Sequence, residues 1–157
     1  MYRILVFSDS HGEVSDILRT IENIRDVDAV IHAGDISTDE IFIEKHIGSI
    51  PFYGVRGNND LYSPYPYSRE ELLCGKKIFI THGHKYSVKS GHGVLYNLID
   101  DNKYDIVIYG HTHVSVVENY NDCLIINPGA VRAYCSGSYA VIEIENNIAK
   151  AAIIPIM

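Results

Sequence analysis

Five short apolar segments of this 157-residue chain each run directly into a group of Asp, Asn, His and Gly residues. The groups are Asp9-Ser10-His11, Gly34-Asp35, Gly57-Asn58-Asn59-Asp60, His82-Gly83-His84 and Gly110-His111-Thr112-His113. A short continuous apolar run is typical of a strand that is buried on both faces of a sheet. Because open α/β sheets bind ligands just beyond the carboxyl ends of their strands, the five groups are predicted to converge in one crevice.

The segments between these strands carry helical patterns. Apolar residues recur at helical spacing over residues 14–24 and again over residues 94–99. Ser37, followed three residues later by Glu40, resembles a capping box and predicts a helix that continues to about Ile47.

The last third of the chain has a different pattern. Residues 114–117, 124–126, 138–144 and 148–154 are predicted as antiparallel strands, with a tight turn at Asn146-Asn147. The irregular stretch 61–73 contains two prolines and is predicted as a surface loop. Alternating strands and helices followed by more strands indicate two sheets packed face to face with helices outside. We expect a single domain that spans residues 1–157.

The residue types in the five groups suit metal ions, because Asp and neutral His are usual ligands of zinc, manganese and iron. In Asp9-x-His11 and His111-x-His113 the side chains are two residues apart, so on an extended segment both would project to the same side. Each pair is therefore predicted to reach into one pocket. The glycines within the groups are expected to let the backbone turn sharply after each strand.

In this order, Asp-x-His, Gly-Asp, Gly-Asn-x-Asp, His-Gly-His and Gly-His-x-His resemble the motifs of the calcineurin-like metallophosphoesterases. The short chain and Asn127-Pro128-Gly129 resemble the compact phosphodiesterase branch of that family. The resemblance covers roughly residues 2–130. It implies an α/β fold, a four-layer α/β/β/α sandwich of two mixed sheets. It also implies a phosphodiesterase in which a hydroxide bridging two divalent cations attacks phosphorus in line with the leaving group.

The resemblance further implies a ligand set. One metal would be held by Asp9, His11 and His113, the other by Asn58, His82 and His111, with Asp35 bridging both. We expect two divalent ions per chain, with Mn²⁺ as the activator in vitro, because carboxylate, amide and imidazole ligands do not select zinc strongly. Ni²⁺, Zn²⁺ and Fe are also compatible with these ligands. The candidate catalytic side chains are Asp35, Asn58, His84 and Asp60.

Three positions beside these ligands have open or altered roles. His84 either contacts substrate or makes a structural hydrogen bond. Asp60 either caps a loop or orients a ligand histidine, and the second role is favoured. Many relatives carry His after the ligand Asn, where it is proposed to protonate the leaving group. Here that residue is Asn59, and an amide cannot act as an acid.

The other histidines and the loop tyrosines are predicted to have structural roles. His46 and His92 are expected to be structural or solvent-exposed, and His32 to pack beneath the site or support a ligand. Tyr62, Tyr65 and Tyr67 are predicted to pack within their loop more readily than to stack on a base.

The overall charge of −7 argues against binding to a nucleic-acid duplex, which requires a basic surface. The expected partner is a small phosphoester substrate, and a homo-oligomer is compatible with the sequence. No apolar run approaches membrane-spanning length, and the first residues lack a signal-peptide pattern. Cys74, Cys123 and Cys135 are odd in number and widely spaced, which favours reduced thiols. We therefore expect a cytoplasmic protein that does not associate with membranes.

The alternatives to hydrolysis are a protein-binding scaffold and a single structural zinc site. The family includes a retromer subunit that uses the fold as a protein-binding scaffold, but such relatives lose some ligand types and this chain keeps all seven. A single structural zinc would use four ligands, fewer than the seven predicted here. Both considerations favour catalysis.

Overall fold

The computed structural model describes residues 1–132 and 136–157, and Cys135 lies outside that range. The described chain forms ten strands and three α-helices, which follow one another in this order. They are β1 (Tyr2–Phe7), α1 (Val14–Asn23), β2 (Ala29–His32), α2 (Ser37–His46), β3 (Phe52–Gly54), β4 (Ser68–Leu73), β5 (Lys76–Thr81), α3 (Gly93–Asn102), β6 (Ile106–Ile108), β7 (Val116–Tyr120), β8 (Cys123–Asn127), β9 (Ser138–Glu145) and β10 (Ile148–Pro155).

The strands form two mixed sheets of five strands each. The first sheet has the order β10-β9-β1-β2-β3, and the second has the order β4-β5-β6-β8-β7. In the first sheet β1, β2 and β3 are parallel, while β9 and β10 are antiparallel to their neighbours. In the second sheet β5, β6 and β8 are parallel, with β4 and β7 antiparallel at the edges. Each sheet therefore has three parallel strands whose carboxyl ends lie along one edge.

Three apolar layers hold the fold together, and the strand pattern explains them. Successive side chains of a strand point to opposite faces, so Ile4 and Val6 of β1 face the second sheet while Leu5 and Phe7 face α1 and α2. On the second sheet, Val107 of β6 packs beneath α3 in the same way. The predicted four-layer α/β/β/α sandwich of two mixed sheets is confirmed.

Three local predictions differ from the structure. The predicted capping box is wrong. α2 begins at Ser37 itself, so the N-cap residue is Ile36, whose side chain makes no capping hydrogen bond. Glu40 is fully buried instead. The stretch 61–73 is not all loop, because β4 occupies its second half. β4 is an edge strand rich in charged residues. Charged residues at a sheet edge prevent pairing with other chains, and they also leave the strand without the apolar pattern by which a strand is predicted.

The final four strands are also not one antiparallel set. β7 and β8 form a hairpin in the second sheet, and β8 pairs in parallel with β6 on its other side. β9 and β10 form a hairpin in the first sheet, where β9 pairs with β1. The predicted turn at Asn146-Asn147 is confirmed, since both residues have positive φ angles of 51° and 62°.

No helix in residues 1–132 or 136–157 combines the length and the apolar character that crossing a membrane would require.

Candidate metal centre

The carboxyl ends of the parallel strands of both sheets meet at one place. β1 leads to Asp9 and β2 to Asp35, while β5 leads to His82 and β6 to His111. Two hydrogen bonds join the sheets there. The Nδ1 of His82 donates to the carbonyl oxygen of Ala33 at 2.7 Å, and the backbone N–H of His111 donates to Asp9 Oδ2 at 3.0 Å.

Asp35 lies between histidines that come from different strands. Its Oδ2 is 3.6 Å from His11 Nε2, and its Oδ1 is 3.7 Å from His82 Nε2. The carboxylate is 4% exposed, so water competes little for its two oxygens. One carboxylate with an imidazole on each side has the geometry that a bridging ligand requires.

Asp9 is the second buried carboxylate of the site. Its Oδ1 is 3.1 Å from His113 Nε2 and 4.0 Å from His82 Nε2. Two groups of three side chains are close enough to share an ion: Asp9 with His11 and His113, and Asp9 with Asp35 and His82. The first group is the set expected for one metal. The second differs from the expected set, because Asp9 approaches His82.

The two imidazole nitrogens that face Asp35 have no hydrogen-bond partner within the described part of the chain. His11 Nε2 and His82 Nε2 are both buried without a hydrogen bond. A buried nitrogen without a partner costs free energy, so its presence calls for a ligand that is not a side chain. In His82 the bond from Nδ1 fixes the tautomer and leaves the Nε2 lone pair free, as in metal-binding histidines. The donor set therefore fits divalent cations.

Five of the seven expected ligands have positive φ angles. The values are 53° for Asp9, 44° for His11, 112° for Asp35, 68° for His111 and 61° for His113. Residues other than glycine rarely adopt this left-handed region of backbone conformation, and strained residues of this kind cluster at functional sites. The segments of Asp9-x-His11 and His111-x-His113 are thus not extended, and the predicted reason for their convergence is wrong. Left-handed turns bring these side chains together.

Gly57 and Gly110 serve a close approach between chain segments. A Cβ on Gly57 would lie 2.6 Å from Asp35 Cα, and a Cβ on Gly110 would lie 2.0 Å from Ser8 Oγ and 2.9 Å from Asp9 Oδ2. Neither glycine has a positive φ angle. Both allow the loops of neighbouring strands to touch directly beneath the two buried carboxylates.

Two supporting residues were missed by the sequence analysis. Asp39 of α2 accepts hydrogen bonds at its Oδ2 from Ser10 Oγ at 2.7 Å and from the Gly12 N–H at 2.8 Å, which holds the Asp9–Gly12 turn. No sequence signal indicates this role. Asn127, at the end of β8, donates through Nδ2 to the Gly110 carbonyl at 3.0 Å and to Thr112 Oγ1 at 2.9 Å.

Asn127 did have a sequence signal. An apolar run precedes it, as at the five polar groups, but the same run also fits the antiparallel strands predicted for the last third of the chain.

His111 and Asn58 are the expected ligands outside the two groups described above. The ring of His111 is 5.0 Å from that of His82 between centroids. Burial, with smaller effects of His82 and Lys89, lowers the pKa of His111 and favours the neutral imidazole that binds metals. Asn58 is exposed on the loop after β3. The metal-compatible groups of His and Asp side chains do not reach His111.

The candidate catalytic residues His84 and Asp60 differ in their hydrogen-bond partners. His84 Nδ1 is buried with no hydrogen-bond partner in the described residues, and its ring is 5.6 Å from that of His82. Burial, followed by His82 and Lys85, lowers the pKa of His84. The carboxylate of Asp60 accepts the backbone N–H groups of Ser37 at 2.8 Å and Gly57 at 2.9 Å.

These hydrogen bonds match the loop-capping role of Asp60, and its favoured role as an orienter of a ligand histidine stays a prediction. Its two oxygens hold the start of α2 and the loop after β3. Asn59 lies against the centre, because its Nδ2 donates to both oxygens of Asp35 at 3.0 Å.

The remaining histidines have the predicted structural roles. His46 stacks on Phe42 at the surface, with ring centroids 4.0 Å apart. His92 bonds to Glu118 through Nδ1 at 2.7 Å and to Tyr109 through Nε2 at 2.6 Å.

His32 is buried below the site. Its Nδ1 accepts the Gly34 N–H at 3.1 Å and so supports the turn that leads to Asp35. Its neighbour is Glu40, whose pKa burial raises to about 7.

The three loop tyrosines are in different environments. Tyr65 is buried, and its hydroxyl donates to Glu44 at 2.6 Å, as packing within the fold predicts. Tyr62 is 99% exposed and does not pack. Tyr67 is half-exposed and lies next to His84, with 5.9 Å between ring centroids.

The sequence of this chain is similar to those of known phosphoesterases. The family model of the calcineurin-like phosphoesterase superfamily domain matches residues 2–147. A phosphodiesterase of Methanocaldococcus jannaschii is 35% identical over 153 residues, which cover 86% of this chain and 87% of that protein.

Two solved structures have the same fold. A predicted phosphoesterase from Streptococcus pneumoniae superposes with a TM-score of 0.81 at 29% identity, covering 98% of this chain and 89% of the other. The Zn²⁺ complex of Vps29 from Entamoeba histolytica superposes with a TM-score of 0.76 at 18% identity, covering 99% of both chains. At that identity the second likeness concerns the fold alone.

Proposed function

The chain belongs to the calcineurin-like phosphoesterase superfamily, and from this premise we propose that it is a phosphodiesterase that works with two divalent cations. The observation that carries the proposal is the position of Asp35 between His11 and His82, each of which has a buried Nε2 without a partner in the described residues. Two bound cations would activate water and neutralise the charge of the phosphoryl oxygens.

The protein's own side chains hold this arrangement before substrate arrives. Asp39 fixes the turn that carries Asp9 and His11, while Asn127 fixes the turn that carries His111 and His113. Such preorganisation matters because a displacement of about 1 Å can cost roughly 10²-fold in rate. We assign Asp9, His11 and His113 to one ion, and Asn58, His82 and His111 to the other, with Asp35 shared.

The protein-binding scaffold remains the alternative from another class. The structural likeness to Vps29 concerns the fold and gives no support to that function here. The presence of every expected ligand type supports hydrolysis. The test is a set of phosphodiesters and phosphomonoesters assayed after loading with Mn²⁺, Ni²⁺, Zn²⁺ or Fe²⁺. Failure to hydrolyse any of them would leave the scaffold as the better account.

We also propose a cytoplasmic location. Cys74 and Cys123 are free thiols, as expected in a reducing compartment. Burial raises the pKa of Cys123 to about 12, so this thiol is chemically inert as well as packed.

We predict two metal ions per chain in protein loaded with excess Mn²⁺. Two carboxylates and four imidazoles are more ligands than one ion uses, and two groups of three, which share Asp9, already lie within coordinating reach. Elemental analysis gives the number of ions, and anomalous diffraction gives their positions. A single occupied position under metal excess would overturn the dinuclear centre.

We predict that Asn59→His improves the hydrolysis of alkyl diesters relative to aryl diesters by about tenfold, a modest part of the 10²–10⁴-fold typical of general acid catalysis. With Asn59 in place, the leaving group departs without an acid at that position, so the rate should depend steeply on the leaving-group pKa. The measurement is log kcat against leaving-group pKa. Asn59→His should give the shallower slope.

Asn59→Ala is the matched control, because it removes the same hydrogen bonds to Asp35 without adding an acid. It should keep the steep slope. A shallow slope already present in the unmodified protein would mean that another group, such as His84, protonates the leaving group.

A further inference from the structure

A basic and aromatic rim borders the candidate metal centre on the side of His84. We define the basic rim as Arg56, Tyr67 and Lys85. The ring of Tyr67 is 5.9 Å from that of His84, and His84 is in turn 5.6 Å from His82 between centroids. A single histidine ring thus separates the basic rim from a proposed metal ligand. A group attached to a phosphoryl centre at the metals can reach it.

Both cations of the basic rim are held in place by Tyr67. Lys85 Nζ lies 3.4 Å from the Tyr67 ring centroid, and Arg56 Cζ lies 4.6 Å from it. Arg56 is fixed further, since its Nε donates to the Tyr65 carbonyl at 2.7 Å. Cation–π contacts of this kind hold charge in position while leaving it accessible, because they do not neutralise it. The rim therefore presents two oriented positive charges.

These two charges have no counter-ion in the described part of the chain. Neither Arg56 nor Lys85 takes part in any of its ion pairs. This region attracts anions.

We propose that the basic rim binds a second phosphate of the substrate, so that preferred substrates are phosphodiesters whose ester group carries a further phosphate. This inference rests on the proposed phosphodiesterase function. The scissile phosphate is at the metal centre, and the second phosphate contacts Lys85 and Arg56. Arg is well suited to such a contact, because its planar fork matches phosphate oxygens. Tyr67 already contacts two cations with its ring, which disfavours stacking of a base on it.

The test uses two substrates with the same leaving group. Thymidine 5′-(4-nitrophenyl phosphate) carries one phosphate, and its 3′-phosphorylated form carries a second one. Release of 4-nitrophenolate reports both reactions. We expect kcat/KM for the 3′-phosphorylated substrate to be about tenfold higher, within the range by which complementary charge raises association. The preference should appear in KM and should weaken as salt is raised.

Variants of the rim should abolish this preference. In Lys85→Met, which keeps the apolar stem on Tyr67, and in Arg56→Gln the ratio should fall to between one and two. Lys85→Glu should bring it below one, and Lys85→Arg should restore it. Lys45→Met is the matched control, because it removes one exposed charge near the end of α2, and it should keep the original ratio.

The outcomes separate the two proposals. If the metal-loaded protein cleaves neither substrate, the phosphodiesterase function fails. If it cleaves both at equal kcat/KM, or if Lys85→Met and Lys85→Glu keep the original ratio, the basic rim is not a phosphate site. Thermal melting of each variant shows whether it is folded, and Lys85 is exposed, so folding should not depend on it.

Discussion

Asp35→Ala is expected to lower kcat/KM for an aryl phosphodiester by about 10³-fold or more, at the upper end of what removal of one electrostatic contributor costs an enzyme. The reason is geometric. Asp35 has one oxygen facing His11 and the other facing His82, so its removal would affect both proposed ions and the spacing between them. The Asn59 amide that contacts Asp35 cannot take its place, because it is a donor there.

The comparison variants are Asp9→Ala and His113→Ala, measured at the same metal concentration. His113 is the most exposed of the ligands close to Asp9, so His113→Ala should lose the least activity and should recover most as metal is increased. Asp35→Ala should lose the most and recover the least. If Asp35→Ala kept more activity than either comparison variant, its assignment as a bridging ligand would be wrong. Metal content determined for each variant separates weak binding from misplacement.

Gly57→Ala should destabilise the protein and lower its activity, although Gly57 has no side chain that could take part in the chemistry. A Cβ at this position would be 2.6 Å from Asp35 Cα and 2.8 Å from Asp35 N, and these are backbone atoms that no rotamer change can move. Overpacking of this kind costs about 1–3 kcal/mol in the free energy of unfolding. The displacement of Asp35 should reduce kcat/KM by about 10²-fold.

Thermal unfolding and phosphodiester hydrolysis measure the two effects. A loss of 1 kcal/mol lowers Tm by roughly 2–4 °C in a protein of this size. Gly93→Ala is the matched control, because Gly93 starts α3, has an ordinary φ angle and has no atom within 4 Å of an added Cβ. Alanine favours the helix there, so Gly93→Ala should be neutral or stabilising. Equal activity in Gly57→Ala and the unmodified protein would show that the close approach does not position Asp35.

The elements that the sequence predicted well are those with a strong local pattern. β1 reads as a continuous apolar run because both of its faces are buried, between α1 and α2 on one side and the second sheet on the other. β4 was missed because it lies at an edge, where charged residues are tolerated and the apolar pattern disappears. β8 was found, but its parallel pairing with β6 was not, since pairing depends on which strands meet in space.

Some residues of the site also have a local sequence signal, and others do not. The five polar groups could be located from the sequence because each follows an apolar run, and the ends of parallel strands share one edge. The choice of seven ligands within them rests on the resemblance to the family. Asp39 could not be named, because it lies on a helix, and only the docking of α2 against β1 and β2 brings its carboxylate to the Asp9–Gly12 turn.

What the sequence by itself determined was therefore the layered fold and the residue types at one sheet edge, since burial imposes a period that a sequence displays. Only the tertiary structure decided how those residues face one another. Asp35 has a φ angle of 112°, and a strained conformation of this kind persists only where surrounding contacts enforce it. Those contacts come from Gly57 and His82, on loops after two other strands. Local sequence preferences oppose such a conformation, so no local pattern could have predicted it.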